Sequence, residues 1–209
     1  MTSSKTSGAY FKSLHIPGNP IILANIWDVP SLDAVVSLNF PSSQGPVRAL
    51  ATASYAIAES LGKRDDNITR VVELGPHAKQ AGLPFSVDLQ DAYGDQLEES
   101  VRAIVEAGAV GANVEDAIPA AEWTSLIQID VQVERLKRVL AVAKEAGEPD
   151  FVLNARSDIF WMKEPNLKGD LLEEAIKRGK AYLGAGATTA LFWGPALTVD
   201  TVKALSMAT

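Results

Sequence analysis

Four Ala-Gly pairs divide most of this chain into regular units. They end at Gly82, Gly108, Gly147 and Gly186, and a short apolar run follows each pair within a few residues. Glycine after the last helical turn readily takes the left-handed conformation that ends a helix. Each pair therefore predicts the end of one helix and the start of the next strand. Alternating strands and helices of this size indicate a parallel sheet with right-handed crossovers.

The pattern predicts an α/β protein with six strands and a helix after most of them. The strands are expected at Ile21–Asn25, Arg48–Ala53, Pro84–Asp88, Val110–Glu115, Phe151–Asn154 and Thr189–Trp193. An open doubly wound sheet is the alternative, but neither a GxGxxG sequence nor a P-loop marks a nucleotide site. We therefore expect one domain over residues 1–209, a TIM-type (β/α) barrel truncated to about six βα units. Open edges at the first and last strands favour a homo-oligomer that covers them.

Three of these strands carry a charged residue at or just after their carboxyl ends. Asp88 ends the third strand, Glu115 ends the fourth, and Arg156 follows the fifth. Side chains alternate between the two faces of a strand, so Asn154 and Arg156 share one face, as do Asn113 and Glu115. In a parallel barrel the carboxyl ends converge on one active-site mouth. The spacing therefore predicts two carboxylates and a guanidinium at a common site.

Composition limits the partners that such a site can have. The 209 residues carry a formal net charge of −7, which gives no electrostatic support to nucleic-acid binding. No apolar run approaches the length of a membrane span. There is no cysteine, which excludes disulfides, thiolate metal sites and a cysteine nucleophile. A cytoplasmic enzyme that acts on a small molecule is the expectation that remains.

The residues themselves leave both a functional and a structural interpretation open. Asp88 and Glu115 suit Mg²⁺, which prefers oxygen ligands, but they could also be a structural pair that caps neighbouring helices. Arg156 offers two parallel donors to a carboxylate or phosphonate, yet it could be held in an ion pair with Asp158 or Glu115. Trp193 ends the sixth strand and could line the pocket.

Six stretches of the chain resemble the isocitrate lyase and phosphoenolpyruvate mutase superfamily, nearest to its short fungal phosphonomutase-like branch. They occur in the order of the family and cover nearly the whole chain from Phe11 to Pro195. They read ILANIWDVPSLDAV, ALATASYAIAESLGKRDDN, LPFSVDLQDAYGD, GAVGANVEDA, FVLNARSDIF and RGKAYLGAGATTALFWGP. Together they are far more specific than any one of them alone.

The resemblance implies a barrel that binds Mg²⁺, with Mn²⁺ as a substitute, and a 2-oxo or enol acid held by its carboxylate. By position, Asp88 matches the direct metal ligand and Glu115 a ligand that acts through water. Arg156 matches a substrate-binding arginine, and Asp65 matches a mobile-loop aspartate that is catalytic in the mutase and hydrolase branches. A final set falls where the family holds the substrate carboxylate through backbone amides: Ala53, Ser54 and Tyr55.

The chain also departs from the family pattern. Gln90 stands at the second acidic metal position, and Ala92 replaces a usual glycine. The lyase branch has a catalytic cysteine loop, and the mutase branch has basic residues in a gating loop after the position of Glu115. Neither is evident here, because the chain lacks cysteine and the segment AIPAAEWTSL has no Lys or Arg. The last two barrel units of the family have no counterpart among the six units predicted.

Three functions follow from these matches and departures. The first is a Mg²⁺-dependent lyase or hydrolase that cleaves a C–C bond in a small 2-oxo or 2-hydroxy dicarboxylic acid through an enolate. The second is a phosphonate mutase or hydrolase that acts on a P–C bond. The third is a non-catalytic, repurposed barrel. The first is favoured, because Asp65, Asp88, Glu115 and Arg156 are all retained.

Overall fold

A single parallel sheet runs through the computed structural model, which describes residues 6–40, 45–62, 67–118, 125–161 and 170–209. The strands are β1 (Ala24–Ile26), β2 (Leu50–Thr52), β3 (Phe85–Asp88), β4 (Gly111–Glu115), β5 (Val152–Ser157) and β6 (Thr189–Phe192). They lie side by side in the order β1-β2-β3-β4-β5-β6. A doubly wound sheet reverses its strand order at a switch point, whereas a (β/α) barrel does not. The predicted α/β fold of the TIM-barrel kind is therefore confirmed.

At least one α-helix follows each strand, and one short α-helix also precedes the first strand. The α-helices are α1 (Gly8–Ser13), α2 (Val29–Ser37), α3 (Ser54–Leu61), α4 (Asn67–Gln80), α5 (Leu97–Glu106), α6 (Ile129–Glu145), α7 (Leu171–Gly184) and α8 (Val199–Ala208). A 3₁₀ helix covers Gly94–Gln96 just before α5. The connection between β2 and β3 contains both α3 and α4.

The four predicted glycine stops have the expected backbone conformation. Gly82, Gly108, Gly147 and Gly186 have φ values of 69°, 100°, 103° and 106°. These values lie where an L side chain is strained, so glycine ends each helix and lets the chain turn into the next strand.

All six strands differ from the predicted bounds by one to three residues at one or both ends, and the differences are largest in β1 and β5. β1 is only three residues long and begins at Ala24, because the preceding Ile21–Leu23 segment makes no ladder pairing. β5 continues to Ser157 instead of ending at Asn154, so Arg156 lies inside the strand. The extra residues pair with β4 and β6 in register, which fixes the Arg156 backbone on both sides.

The two faces of the central strands have different compositions. Val87, Val114 and Leu153 are buried on the helix-facing side, where they pack in one apolar cluster with Leu136 and Val139 of α6. The residues between them in sequence point to the opposite side and are small or polar. They are Ser86, Asp88, Gly111, Asn113, Asn154 and Arg156. A core thus forms between sheet and helices, and a polar surface remains inside the curve of the sheet.

The short helix α1 packs at the amino ends of the strands. Its Phe11 and Leu14 are buried in a separate cluster with Val110 and Val152. A Cβ added to Gly111 would lie 2.9 Å from the Phe11 ring and 2.7 Å from the Val152 carbonyl oxygen, so only glycine leaves room for this contact. The apolar cluster fills the amino end of the sheet and leaves polar groups at the carboxyl end.

None of the helices in the described part of the chain combines the length and the apolar character needed to cross a membrane.

Candidate active site

A row of hydrogen-bonded polar side chains crosses four strands, from the last residue of β3 through the middle of β4 and β5 to the first residue of β6. Asp88 is in register with Asn113, Asn113 with Asn154, and Asn154 with Thr189. Asn113 Nδ2 donates to Asp88 Oδ1 (3.1 Å), Asn154 Nδ2 donates to Asn113 Oδ1 (2.8 Å), and Thr189 Oγ1 donates to Asn154 Oδ1 (2.7 Å). The predicted shared face of these strands is therefore present, and Thr189 extends it beyond the residues that the sequence singled out.

Asp88 is also tied to the strand and helix on its other side. The backbone N–H of Ser54 donates to Asp88 Oδ2 at 2.9 Å, and the Asp88 N–H donates to the Thr52 hydroxyl at 2.9 Å. Ser54 is the first residue of α3 and Ala53 its N-cap, so Asp88 lies at the amino end of this helix. A carboxylate is favoured there by the helix dipole. Tyr55, the second residue of α3, is 76% exposed.

Arg156 is held between two carboxylates. Its NH1 lies 3.1 Å from Glu115 Oε2, and its NH2 and Nε lie 2.7 and 2.8 Å from Asp158 Oδ1. The side chains of Glu115 and Asp158 are almost fully buried, whereas the Arg156 side chain keeps 18% of its surface exposed. The ion pairs considered from the sequence are thus both formed. The partly exposed guanidinium still has donor capacity toward the mouth. We call Asp88, Glu115, Arg156 and Asp158 the mouth cluster.

Negative charge exceeds positive charge in the mouth cluster. Burial raises the pKa of Glu115 from 4.5 to about 8; Arg156 opposes this rise, and Asp158, Asp88 and Asp91 add to it. Burial likewise raises the pKa of Asp158 to about 6 against the effect of Arg156. Glu115 Oε1 and Asp158 Oδ2 are buried and accept no hydrogen bond from the described residues. The cluster therefore has two carboxylate oxygens without a hydrogen-bond donor among the described residues, which favours binding of a proton or a cation.

Two tryptophans stand beside the mouth cluster. The Arg156 guanidinium carbon lies 4.8 Å from the centroid of the Trp193 ring, in a cation–π contact. Trp193 in turn stacks on Trp161 with a centroid distance of 4.5 Å and an interplanar angle of 20°. Gly194 follows with φ of 148°, and a Cβ there would overlap the Phe160 backbone. Trp193 therefore lies against Arg156, and Trp161, which the sequence did not single out, lies against Trp193.

Gln90 and Ala92, two of the residues that depart from the family pattern, lie in the loop after β3. Gln90, Ala92 and Tyr93 all have positive φ (53°, 58° and 56°), which is uncommon for residues other than glycine. This conformation explains why glycine suits the position of Ala92. Gln90 is buried, and its carbonyl oxygen accepts from the Glu115 N–H at 2.9 Å. Asp91 Oδ1 accepts from the Tyr93 N–H at 3.1 Å, so it shapes the loop and is not the N-cap of α5.

Some sequence-based predictions lie outside the described residues. Asp65 belongs to this group, as do parts of the charged loop after α3 and of the segment after Ile118. Among the described residues that the sequence singled out, the structure brings together Asp88, Glu115, Arg156, Asn154 and Trp193. Ser54 and Gln90 lie next to them.

A second polar cluster, behind the sheet, was not predicted. Asp116 Oδ2 accepts from the Tyr182 hydroxyl (2.7 Å) and from Arg178 NH1 (2.9 Å), and Arg178 NH1 also lies 3.0 Å from the Tyr182 oxygen. All three side chains are 1% exposed or less. We call them the back network. The sequence contains one indication of this cluster. Asp116 follows the apolar Val114 by two positions, so both side chains should face the helix-covered side of the sheet. A charge on that side needs a buried partner.

Comparison with known proteins places the chain in a family. The family model for phosphoenolpyruvate phosphomutase matches residues 11–209. The chain therefore belongs to this family, and the predicted membership of the isocitrate lyase and phosphoenolpyruvate mutase superfamily is confirmed.

Individual relatives carry several activities. A candidate phosphonomutase from Burkholderia cenocepacia J2315 has a solved structure that superposes with a TM-score of 0.81 at 31% identity, over 97% of this chain and 80% of that one. Oxaloacetate decarboxylase of Rhodopseudomonas palustris (strain TIE-1) is 28% identical over 195 residues, 89% of this chain and 62% of that protein. The 2-methylisocitrate lyase of Escherichia coli K12 is 28% identical over 192 residues, 84% and 61% respectively. The chain thus spans about three fifths of the length of these two curated relatives.

Proposed function

We propose that this protein is a Mg²⁺-dependent lyase or hydrolase that cleaves a C–C bond in a small 2-oxo or 2-hydroxy dicarboxylic acid. The observation that carries this proposal is the mouth cluster at the carboxyl ends of β3, β4 and β5, where a partly exposed arginine pairs with the buried Glu115 and Asp158 carboxylates and Asp88 ends β3. Active sites of (β/α) barrels lie at this end of the sheet. Relatives named oxaloacetate decarboxylase and 2-methylisocitrate lyase support the same substrate class.

The residues present fit a hard divalent cation. Arg156 pairs with Glu115 and Asp158, Asp88 ends β3, and one buried oxygen each of Glu115 and Asp158 accepts no hydrogen bond from the described residues. No group of three or more His, Cys, Asp or Glu with the geometry of a metal site occurs in the described ranges. Mg²⁺ does not need one, since it commonly binds through one or two carboxylates and keeps several waters. Asp88, Glu115 and the neutral oxygen of Gln90 would hold it, and Mn²⁺ suits the same ligands.

Each residue of the site then has a defined task. A bound divalent cation would supply Lewis-acid stabilisation of charge that develops on the substrate oxygen. Arg156 would bind the substrate carboxylate, because its planar fork matches two carboxylate oxygens. Asn113 and Asn154 hold the polar row in place, and Trp193 limits the space beside Arg156. The backbone amides of Ala53 and Tyr55 and the Asp65 carboxylate would complete the proposed site, since the Ser54 amide already donates to Asp88.

A phosphonate enzyme is the second candidate. The 31% identity to a candidate phosphonomutase favours it. Arg156 would bind a phosphonate as readily as a carboxylate, because both present paired oxygens to the guanidinium. Turnover assays with oxaloacetate, 2-methylisocitrate and phosphonopyruvate would separate the two candidates, since each substrate breaks a different bond.

Calorimetric titration with oxalate and Mg²⁺ tests the shared part of the proposal. Oxalate is a planar dianion that mimics a pyruvate enolate. We expect Mg²⁺-dependent binding by the wild type and a loss of more than about 100-fold in Asp88→Asn. Loss of an outer partner of a metal site alone commonly costs 10–100-fold, and Asp88 is proposed as a direct ligand.

Asp95→Asn is the matched control. It makes the same chemical change on an exposed residue of the 3₁₀ helix near the site, and it should bind oxalate as the wild type does. Equal binding by the wild type and Asp88→Asn would remove Asp88 from the metal site. No binding by the wild type in Mg²⁺ or Mn²⁺ would favour the non-catalytic barrel.

A further inference from the structure

The back network is saturated with hydrogen bonds in the part of the chain that the structure describes. Asp116 Oδ2 accepts from Tyr182 and Arg178, and Asp116 Oδ1 accepts from the Asp158 backbone N–H at 3.1 Å. Arg178 also donates to the Ile127 carbonyl oxygen (2.9 Å) and pairs with Glu174 on its own helix (3.2 Å). Such a fully paired, buried set of polar groups has few alternative arrangements, because moving one member leaves another unpaired.

One residue connects this network to the mouth cluster. The Asp158 backbone N–H is fixed by Asp116, while the Asp158 carboxylate receives both Nε and NH2 of Arg156. The Asp116 N–H also donates to the Arg156 carbonyl oxygen at 3.1 Å. Asp116 therefore holds the backbone from Arg156 to Asp158 at two points, although Arg156 itself faces the mouth.

We propose that Tyr182 and Arg178 are positioning residues that, through Asp116 and Asp158, fix the orientation of the Arg156 guanidinium. Neither residue lies at the mouth, since both are on α7 behind the sheet. The inference rests on the proposed function only where ligand affinity is concerned, because the orientation of Arg156 can be measured without a ligand.

The chemistry of the two residues suits a fixed support. Burial and the neighbouring Asp116 raise the pKa of Tyr182 far above its ordinary value, although Arg178 opposes this, so the hydroxyl remains a donor. Arg178 uses Nε toward Glu174 and NH1 toward Asp116, so its plane is set by two elements at once. Because the Arg156 guanidinium is already oriented, it loses less conformational entropy when it binds a carboxylate.

The test uses Tyr182→Phe, which keeps the ring and removes only the hydroxyl. Tyr10→Phe is the control, since it makes the same change in α1 at the amino end of the sheet. The Nε–Hε signal of Arg156 in ¹⁵N NMR spectra, assigned by its loss in Arg156→Lys, reports guanidinium orientation and exchange without ligand. We expect this signal to shift and exchange faster in Tyr182→Phe and to stay unchanged in Tyr10→Phe. Oxalate titration in Mg²⁺ should give affinity about three- to tenfold weaker for Tyr182→Phe.

The outcomes separate this inference from the proposed function. An Arg156 signal that is unchanged in folded Tyr182→Phe overturns the positioning role, whatever the affinity. A shifted signal together with no oxalate binding by the wild type supports positioning and rejects the proposed ligand class. If Tyr182→Phe does not fold, Arg178→Lys serves instead, because it keeps the charge and loses the fork. The same signal should then move, and an unmoved signal overturns the proposal.

Discussion

Glu115 and Asp116 are neighbours in the chain, yet their surroundings differ in almost every respect. Glu115 points into the mouth, where Oε1 accepts no hydrogen bond from described residues and burial raises the pKa to about 8. Asp116 points toward α7, where both oxygens accept hydrogen bonds from Tyr182, Arg178 and Asp158. Successive side chains of an extended segment point to opposite faces. Glu115 therefore keeps one oxygen without a hydrogen-bond donor among the described residues, whereas both oxygens of Asp116 have donors.

This difference shows how the two clusters can be told apart without knowledge of a ligand. A structural cluster satisfies its own polar groups, because an unpaired buried group costs free energy. A site for a ligand leaves oxygens and donors that only the ligand completes, and such groups often have shifted pKa values. By this criterion the mouth cluster has the features of a site that a ligand completes, and the back network has those of a structural cluster.

The largest effect is expected when the back network is broken. Arg178→Met should lower the free energy of unfolding by about 3–5 kcal/mol, because it leaves the buried Asp116 carboxylate without its cation. Arg138→Met is the control, since Arg138 pairs with Glu98 across the surface and is 63% exposed. That pair should contribute about 0–1 kcal/mol. Urea unfolding followed by circular dichroism measures both, and equal losses would contradict the distinction.

A smaller effect is expected from protonation of the mouth cluster. The folded protein binds a proton at Glu115 more tightly than the unfolded chain does, since the pKa rises from 4.5 to about 8. Stability in a chelator should therefore be highest near pH 4.5 and fall as the pH rises toward 8. Glu115→Gln should reduce this fall by about 3 kcal/mol. Unfolding at pH 5 and pH 8.5 measures it.

The control for this pH effect is Glu99→Gln, on the exposed face of α5. It should leave the pH dependence of wild-type stability unchanged. Asp158 contributes a loss of the same sign, with a pKa raised to about 6, and remains in both variants. If the free energy of unfolding falls equally with pH in Glu115→Gln and in the wild type, Glu115 is not the group whose pKa is raised in the folded protein.

The smallest effect is expected at the far end of the polar row. Thr189→Val keeps the shape of the side chain and removes the donor to Asn154 Oδ1. The expected loss is about 1 kcal/mol, typical of one hydrogen bond between partly buried groups. Thr201→Val, whose hydroxyl lies in an exposed pair with Thr198, should cost only a few tenths. Equal thermal midpoints for the wild type and Thr189→Val would show that β6 does not contribute to the row.

The sequence predicted the fold and the strand face that carries Asp88, Asn113 and Asn154. The glycine stops and the alternation along β3 and β4 follow from local rules, so Asp88, Glu115 and the shared face of Asn113 and Asn154 could be placed without coordinates. These predictions succeed because helix ends and strand faces are set by the residues themselves.

The back network could not be predicted in the same way. Arg178 and Tyr182 are one turn apart on an amphipathic helix, and many such pairs face solvent. Their burial depends on how α7 packs against the sheet, which is a tertiary contact between residues more than sixty positions apart. The length of β5 was underestimated for a similar reason, because Arg156 and Ser157 become strand residues only by pairing with β4 and β6.

The sequential order of the strands has a consequence for how the chain folds. Every strand pairs with the next one along the chain, so each ladder needs the closure of only one helical crossover. Folding is faster when contacts are local in sequence, and β4 and β5 share the longest register, from Gly111–Val152 to Glu115–Arg156. A folding nucleus at this pair would set the orientation of Glu115 and Arg156 first, before the outer strands β1 and β6 are added.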